Sequence, residues 1–129
     1  MENMINQFSK AIEVKKIKDN EYQLISKATF ENDAPFEVYL MRDAKNLTIL
    51  TDKRRTLKYM DEFYELASMD VKNAIEAITK LYGIKLFKDA LVLKISEDDD
   101  ILERYFTFIQ CVGQLANMFV FFDAPKEEE

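Results

Sequence analysis

Leu47-Thr48-Ile49-Leu50-Thr51-Asp52-Lys53-Arg54-Arg55-Thr56-Leu57-Lys58-Tyr59-Met60 is the stretch on which the reading of the fold turns. Leu47 to Leu50 suits a short strand, and Asp43-Ala44-Lys45-Asn46 before it supplies turn residues. After Asp52 the period changes. Leu57, Met60, Phe63, Tyr64 and Ala67 recur at three- and four-residue spacing, which lines one side of a helix. Strands therefore lie before this stretch and a helix follows it.

Working back from Leu47, Phe36, Val38 and Leu40 alternate as the inner face of a strand, and so do Tyr22, Leu24, Ala28 and Phe30. Glu31-Asn32-Asp33-Ala34-Pro35 separates the two as a loop. Three strands joined by short connections make an antiparallel meander. Lys15 to Asn20 reads as a polar break. Met4, Phe8, Ala11 and Ile12 predict a helix from Asn3 to Glu13.

Working forward, Ser68 is a candidate N-cap for a second helical stretch. Val71, Ala74, Ile75, Ile78 and Tyr82 form its apolar side, and Gly83 is placed to end it in a left-handed conformation. Ile84 to Phe87 and Ala90 to Ile95 predict a hairpin around Lys88-Asp89. A long helix begins near Ile101, with Tyr105, Ile109, Val112, Ala116 and Phe119 on one stripe. The expected order is α-β-β-β-α-β-β-α, an α+β domain over residues 1–125 with helices packed on an antiparallel sheet. Residues 126–129 are expected to form a disordered acidic tail. This order resembles the secretion-chaperone-like fold.

The 129 residues include no histidine, two glycines and one cysteine, which removes the usual materials of many enzyme sites. No glycine-rich phosphate loop, clustered cysteines or EF-hand spacing occurs, so no cofactor, no metal and no catalytic residue is expected. No basic leader followed by an apolar stretch and no membrane-length apolar run is visible, and Cys111 has no disulfide partner. A cytoplasmic protein without membrane contact is the expectation. Net charge is −6, and residues 65–129 carry all of it, with 13 acids against 7 bases. That balance disfavours nucleic acid and anionic membranes as partners.

Leu50-Thr51-Asp52 with Thr56-Leu57, Tyr82-Gly83-Ile84-Lys85-Leu86, Asp89 to Lys94, and Arg104, Ile109-Gln110, Leu115 and Phe119 form a more specific pattern. It resembles the prokaryotic and phage family catalogued as domain of unknown function 1828, over somewhat more than half of the chain. Lys53-Arg54-Arg55 departs from the acidic-glycine turn that the family often has there. The family has no established activity. The resemblance implies a setting in phages and mobile elements, and no catalytic residues.

Asp52 could be a catalytic carboxylate, but its place between strand and helix suits a cap. Lys53, Arg54, Arg55 and Lys58 are the densest basic cluster and candidate partner-binding residues. Glu97, Asp98, Asp99 and Asp100 form an acidic surface at a helix start, where the helix dipole favours them; they could also imitate DNA phosphates. Cys111 has no histidine to activate it. Met118-Phe119-Val120-Phe121-Phe122 is apolar on all sides of a helix, so Phe121 and Phe122 are expected to serve a homodimer or partner contact. The function expected is a non-enzymatic protein-binding module acting on a host protein, as an inhibitor of a defence or restriction system. The alternatives are a chaperone-like adaptor, or a carboxylate-only metal-dependent nuclease or nucleic-acid-binding protein.

Overall fold

The computed structural model describes residues 1–29 and 35–118. Helix α1 (Glu2–Ser9) precedes four strands, β1 (Glu13–Lys18), β2 (Glu21–Thr29), β3 (Pro35–Arg42) and β4 (Thr48–Thr51). Two helices follow, α2 (Arg55–Met60) and α3 (Met69–Leu81), then β5 (Lys85–Phe87), β6 (Ala90–Lys94) and α4 (Ile101–Ala116). All six strands join one antiparallel sheet in the order β1-β2-β3-β4-β6-β5. The class is α+β, as the periodicity predicts.

Two parts of the expected order are corrected. Glu13–Lys18, read as helix end and polar break, is a strand at the sheet edge. It has almost no buried side, so its sequence shows no clear alternation between apolar and polar positions. The helical stretch read from Leu57 to Ala67 ends at Met60, leaving Phe63 outside it and 45% exposed, so the single helix at this place in the expected order is two, the second starting after Ser68 as the spacing predicts. The helix from Ile101 and the hairpin around Lys88-Asp89 are where the sequence puts them.

Register decides which side chains share a face. Leu24↔Val38, Leu40↔Leu50 and Leu50↔Leu93 place these residues together, and Leu91 follows Leu93 on the same side. Helical residues Met4, Phe8, Met60, Val71, Ile75, Tyr105, Phe108, Val112 and Leu115 pack with them in one continuous core. The other face carries Glu21, Gln23, Glu37, Tyr39, Met41, Ile49, Thr51, Val92 and Lys94. Tyr39 and Ile49 are buried yet stand outside the core cluster. Among the described residues, that second face carries no helix.

The helix ends explain their own positions. Ile84 N–H donates to the Thr79 carbonyl at 2.9 Å and Gly83 N–H to that of Lys80 at 3.1 Å, with Gly83 at φ +69°. That is the left-handed closure expected after α3, and the buried Ile84 anchors it. Asp100 caps α4 by accepting from the Glu103 N–H at 3.2 Å.

Asp52 ties the halves together. It is 1% exposed. One carboxylate oxygen accepts the N–H of Arg54 at 3.0 Å and of Leu91 at 2.9 Å; the other accepts that of Thr56 at 3.0 Å. These bonds close the turn into α2 and fasten β6 to the end of β4. Asp52→Ala would strand three amides, so a loss of about 3 kcal/mol or more is expected. Asp52→Asn keeps one acceptor oxygen but turns an amide toward a donor, and should lose roughly half as much. Urea denaturation of both variants checks the ranking.

Candidate functional site: the helix-free face of the sheet

The basic turn emerges onto the helix-free face. Lys53 and Arg54 both have left-handed backbones, at φ +53° and +73°. Two successive non-glycine residues in this region cost roughly 1–2 kcal/mol each. The turn is held by the Asp52 bonds and by Lys53 N–H donating to Thr51 Oγ1 at 3.3 Å.

That geometry carries Lys53 back over β2 and β3. Its Nζ lies 2.9 Å from Glu21 Oε2 and 4.2 Å from the Tyr39 ring centroid. Glu21 is only 4% exposed, so the lysine supplies the charge a buried carboxylate requires. Arg55 pairs with Glu37, which also accepts from Tyr39 Oη at 3.1 Å and Gln23 Nε2 at 3.4 Å. The Tyr39 hydroxyl is pushed above its ordinary pKa, first by burial and then by the Glu37 charge, with Arg55 opposing. The result is a connected polar patch: Glu21, Gln23, Glu37, Tyr39, Lys53 and Arg55.

The four basic residues singled out from the sequence thus divide. Lys53 and Arg55 are ion-paired, whereas Arg54 and Lys58 are exposed and make no ion pair among the described residues. Glu21 and Glu37 escaped the sequence reading. Each is a lone acid in a strand, and the partnership depends on chain folding across 32 residues in the Lys53–Glu21 case.

The acidic run sits at the start of α4, apart from this patch. Asp99 accepts the Ser96 N–H at 2.8 Å and Asp100 caps the helix, while Glu97 and Asp98 are exposed. Among the described residues, no three acidic or cysteine side chains converge as a metal-binding set. No described helix is long and apolar enough to cross a membrane. Met118 is buried; Phe121, Phe122 and the tail at 126–129 lie outside the described residues. No protein-family model, curated protein or solved structure matches the chain.

Cys111 lies in the core of α4, and its thiol is pushed up to about 12 by burial, with the Asp52 charge adding to the shift. At pH 8 the thiol stays protonated. Iodoacetamide should therefore label it only on unfolding. The folded pKa is raised above the unfolded one, so this stabilising contribution is complete below about pH 9 and is lost as pH rises toward 12. The thermal midpoint should fall with pH across that window, less steeply in Cys111→Ala.

The strained turn gives a second expectation. Arg54→Gly relieves the left-handed backbone at an exposed position and should stabilise the fold by about 0.5–1 kcal/mol. A lower urea midpoint than wild type would show that the arginine side chain contributes more than its backbone costs.

Proposed function

We propose that this chain is a non-enzymatic protein-binding module that offers the helix-free face of its sheet to a partner protein. The observation that carries the reading is the patch of Glu21, Glu37, Tyr39, Lys53 and Arg55. Its side chains are held in place by ion pairs and by a backbone under strain. Side chains ordered before contact lose less entropy on binding, and arginine, exposed here at Arg55, is a residue type that anchors interfaces. The resemblance to the domain of unknown function 1828 adds a mobile-element setting. In that setting the partner is a host protein, and the activity is inhibition of a defence or restriction system.

Arg54 and Lys58 stand one residue before and three residues after Arg55, exposed and without an ion-pair partner among the described residues, so they test the face while leaving its internal network intact. Immobilised wild type should retain a protein from host lysate, and the Arg54→Glu, Lys58→Glu variant should retain about tenfold less, with a steep salt dependence. Equal retention by both would remove Arg54 and Lys58 from the interface. Retention of nucleic acid in place of protein would favour the nucleic-acid alternative.

A further inference from the structure

The helix-free face has a second half, over β4, β6 and β5, and its electrostatics are the reverse of the first. A cleft of about 620 Å³ opens there between the β5–β6 hairpin and the 43–47 turn. Lys45, Lys85, Lys94 and Arg104 line it, against the single acid Asp43. One Asp43 oxygen accepts the N–H groups of Lys45 and Leu47, both at 2.9 Å, and so serves its own turn. None of the four bases has a carboxylate partner among the described residues. Lys53 and Arg55, on the other half, are both neutralised. A chain of net charge −6 therefore gathers unpaired cations in one place.

The cleft is also apolar. Ile49 and Val92 form its floor, and Phe87, 65% exposed, stands on its wall. Arg104 is held there by donating from Nη2 to the Lys94 carbonyl at 3.1 Å.

The third feature is the strand edge itself. β5 ends the sheet and pairs only with β6 among the described residues. Leu86 stands opposite Leu91, and the Leu91 N–H is directed to Asp52, on the β4 side. Leu86 and Leu91 are therefore a pair not hydrogen-bonded to each other, and the Leu86 N–H and C=O point outward from the sheet. The opposite edge, β1, is closed to such pairing by Lys15, Lys16 and Lys18 and by a bulge between Lys16 and Lys18.

We propose that this cleft binds an extended acidic segment of a partner protein, which adds as a strand along β5. Side chains of an added strand alternate between the two faces: its carboxylates fall on the helix-free side, toward Lys85 and the other cations of the cleft, and its alternate apolar side chains fall on the opposite side, beside Leu86, which is 41% exposed. Backbone pairing at Leu86 supplies affinity, and the alternation of charge and apolar surface supplies selectivity. The inference rests on the helix-free face being a binding surface, and it names the chemistry that one half of that face recognises.

The test uses the full chain and a fluorescent synthetic peptide alternating glutamate with leucine, followed by polarisation. Wild type should bind it, and should bind a lysine–leucine peptide or a single-stranded oligonucleotide far more weakly. Lys85→Glu with Lys94→Glu should weaken binding by about tenfold or more, whereas Lys85→Arg with Lys94→Arg should retain it. Leu86→Pro removes the outward N–H and leaves the ladder to β6 intact, so it too should cost about tenfold. Protection of Cys111 from iodoacetamide shows that each variant is folded. Lys72→Ala, exposed on α3 and outside the cleft, should bind the peptide as wild type does. Absence of peptide binding, tighter oligonucleotide binding, or normal binding by the folded Leu86→Pro variant would overturn the proposal. Each of these outcomes leaves the lysate experiment at Arg54 and Lys58 free to succeed or fail separately.

Discussion

The carboxylate of Asp52 is the constraint on which the rest of the molecule depends. A buried, ionisable oxygen pair is stable only when its acceptor capacity is filled, and here three backbone amides fill it. The three come from different places: the turn, the first part of α2, and the start of β6. One side chain thus sets where β4 stops, how the chain turns toward the helices, and which edge of β4 receives the returning hairpin. The left-handed backbone at Lys53 and Arg54 follows from that geometry, and so does the delivery of Lys53 and Arg55 onto the helix-free face. A feature that reads as a catalytic acid in isolation is the anchor of the architecture.

The two faces of the sheet obey different rules as a result. One is an ordinary apolar interior, filled by residues from every helix. The other is covered by its own long side chains. Tyr39 and Glu21 are buried on this face, and the Lys53 side chain lies against both. Over β2 and β3 charges cancel pairwise; over β4, β6 and β5 they do not. The chain is acidic as a whole, yet the positive charge on this face is concentrated and local. Net charge describes solubility and long-range encounter, whereas contact chemistry is set by such local departures.

Much of this fold is legible in the sequence where one side of an element is buried. The stripe of α4, the Gly83 closure and the two-residue turn at Lys88-Asp89 all declare themselves through spacing. β1 does not, because Val14 is the one β1 residue that packs against the interior, and the pattern of an edge strand is set by avoidance of pairing rather than by burial. The break of the second helical region near Phe63 is likewise hidden, since Phe63 and Tyr64 continue the helical period although the backbone leaves it. The site is half legible. Lys53 to Lys58 stands out as a local cluster. Its acidic partners, and the four cations of the cleft, are single residues in separate segments. Register and strand order, both non-local, bring them together.

The lysines of β1 bear on how copies of the chain meet one another. A sheet with two open edges can grow by placing the first strand of one molecule beside the last strand of the next. Here that junction would set Lys15, Lys16 and Lys18 of one molecule against Lys85 and Lys88 of its neighbour, with like charges on both sides and a kinked strand on one. Head-to-tail growth into a filament is therefore opposed by repulsion as well as by shape. An acidic strand from elsewhere meets no such barrier at β5. The same charges that make the sheet a poor template for itself leave it selective for a foreign strand.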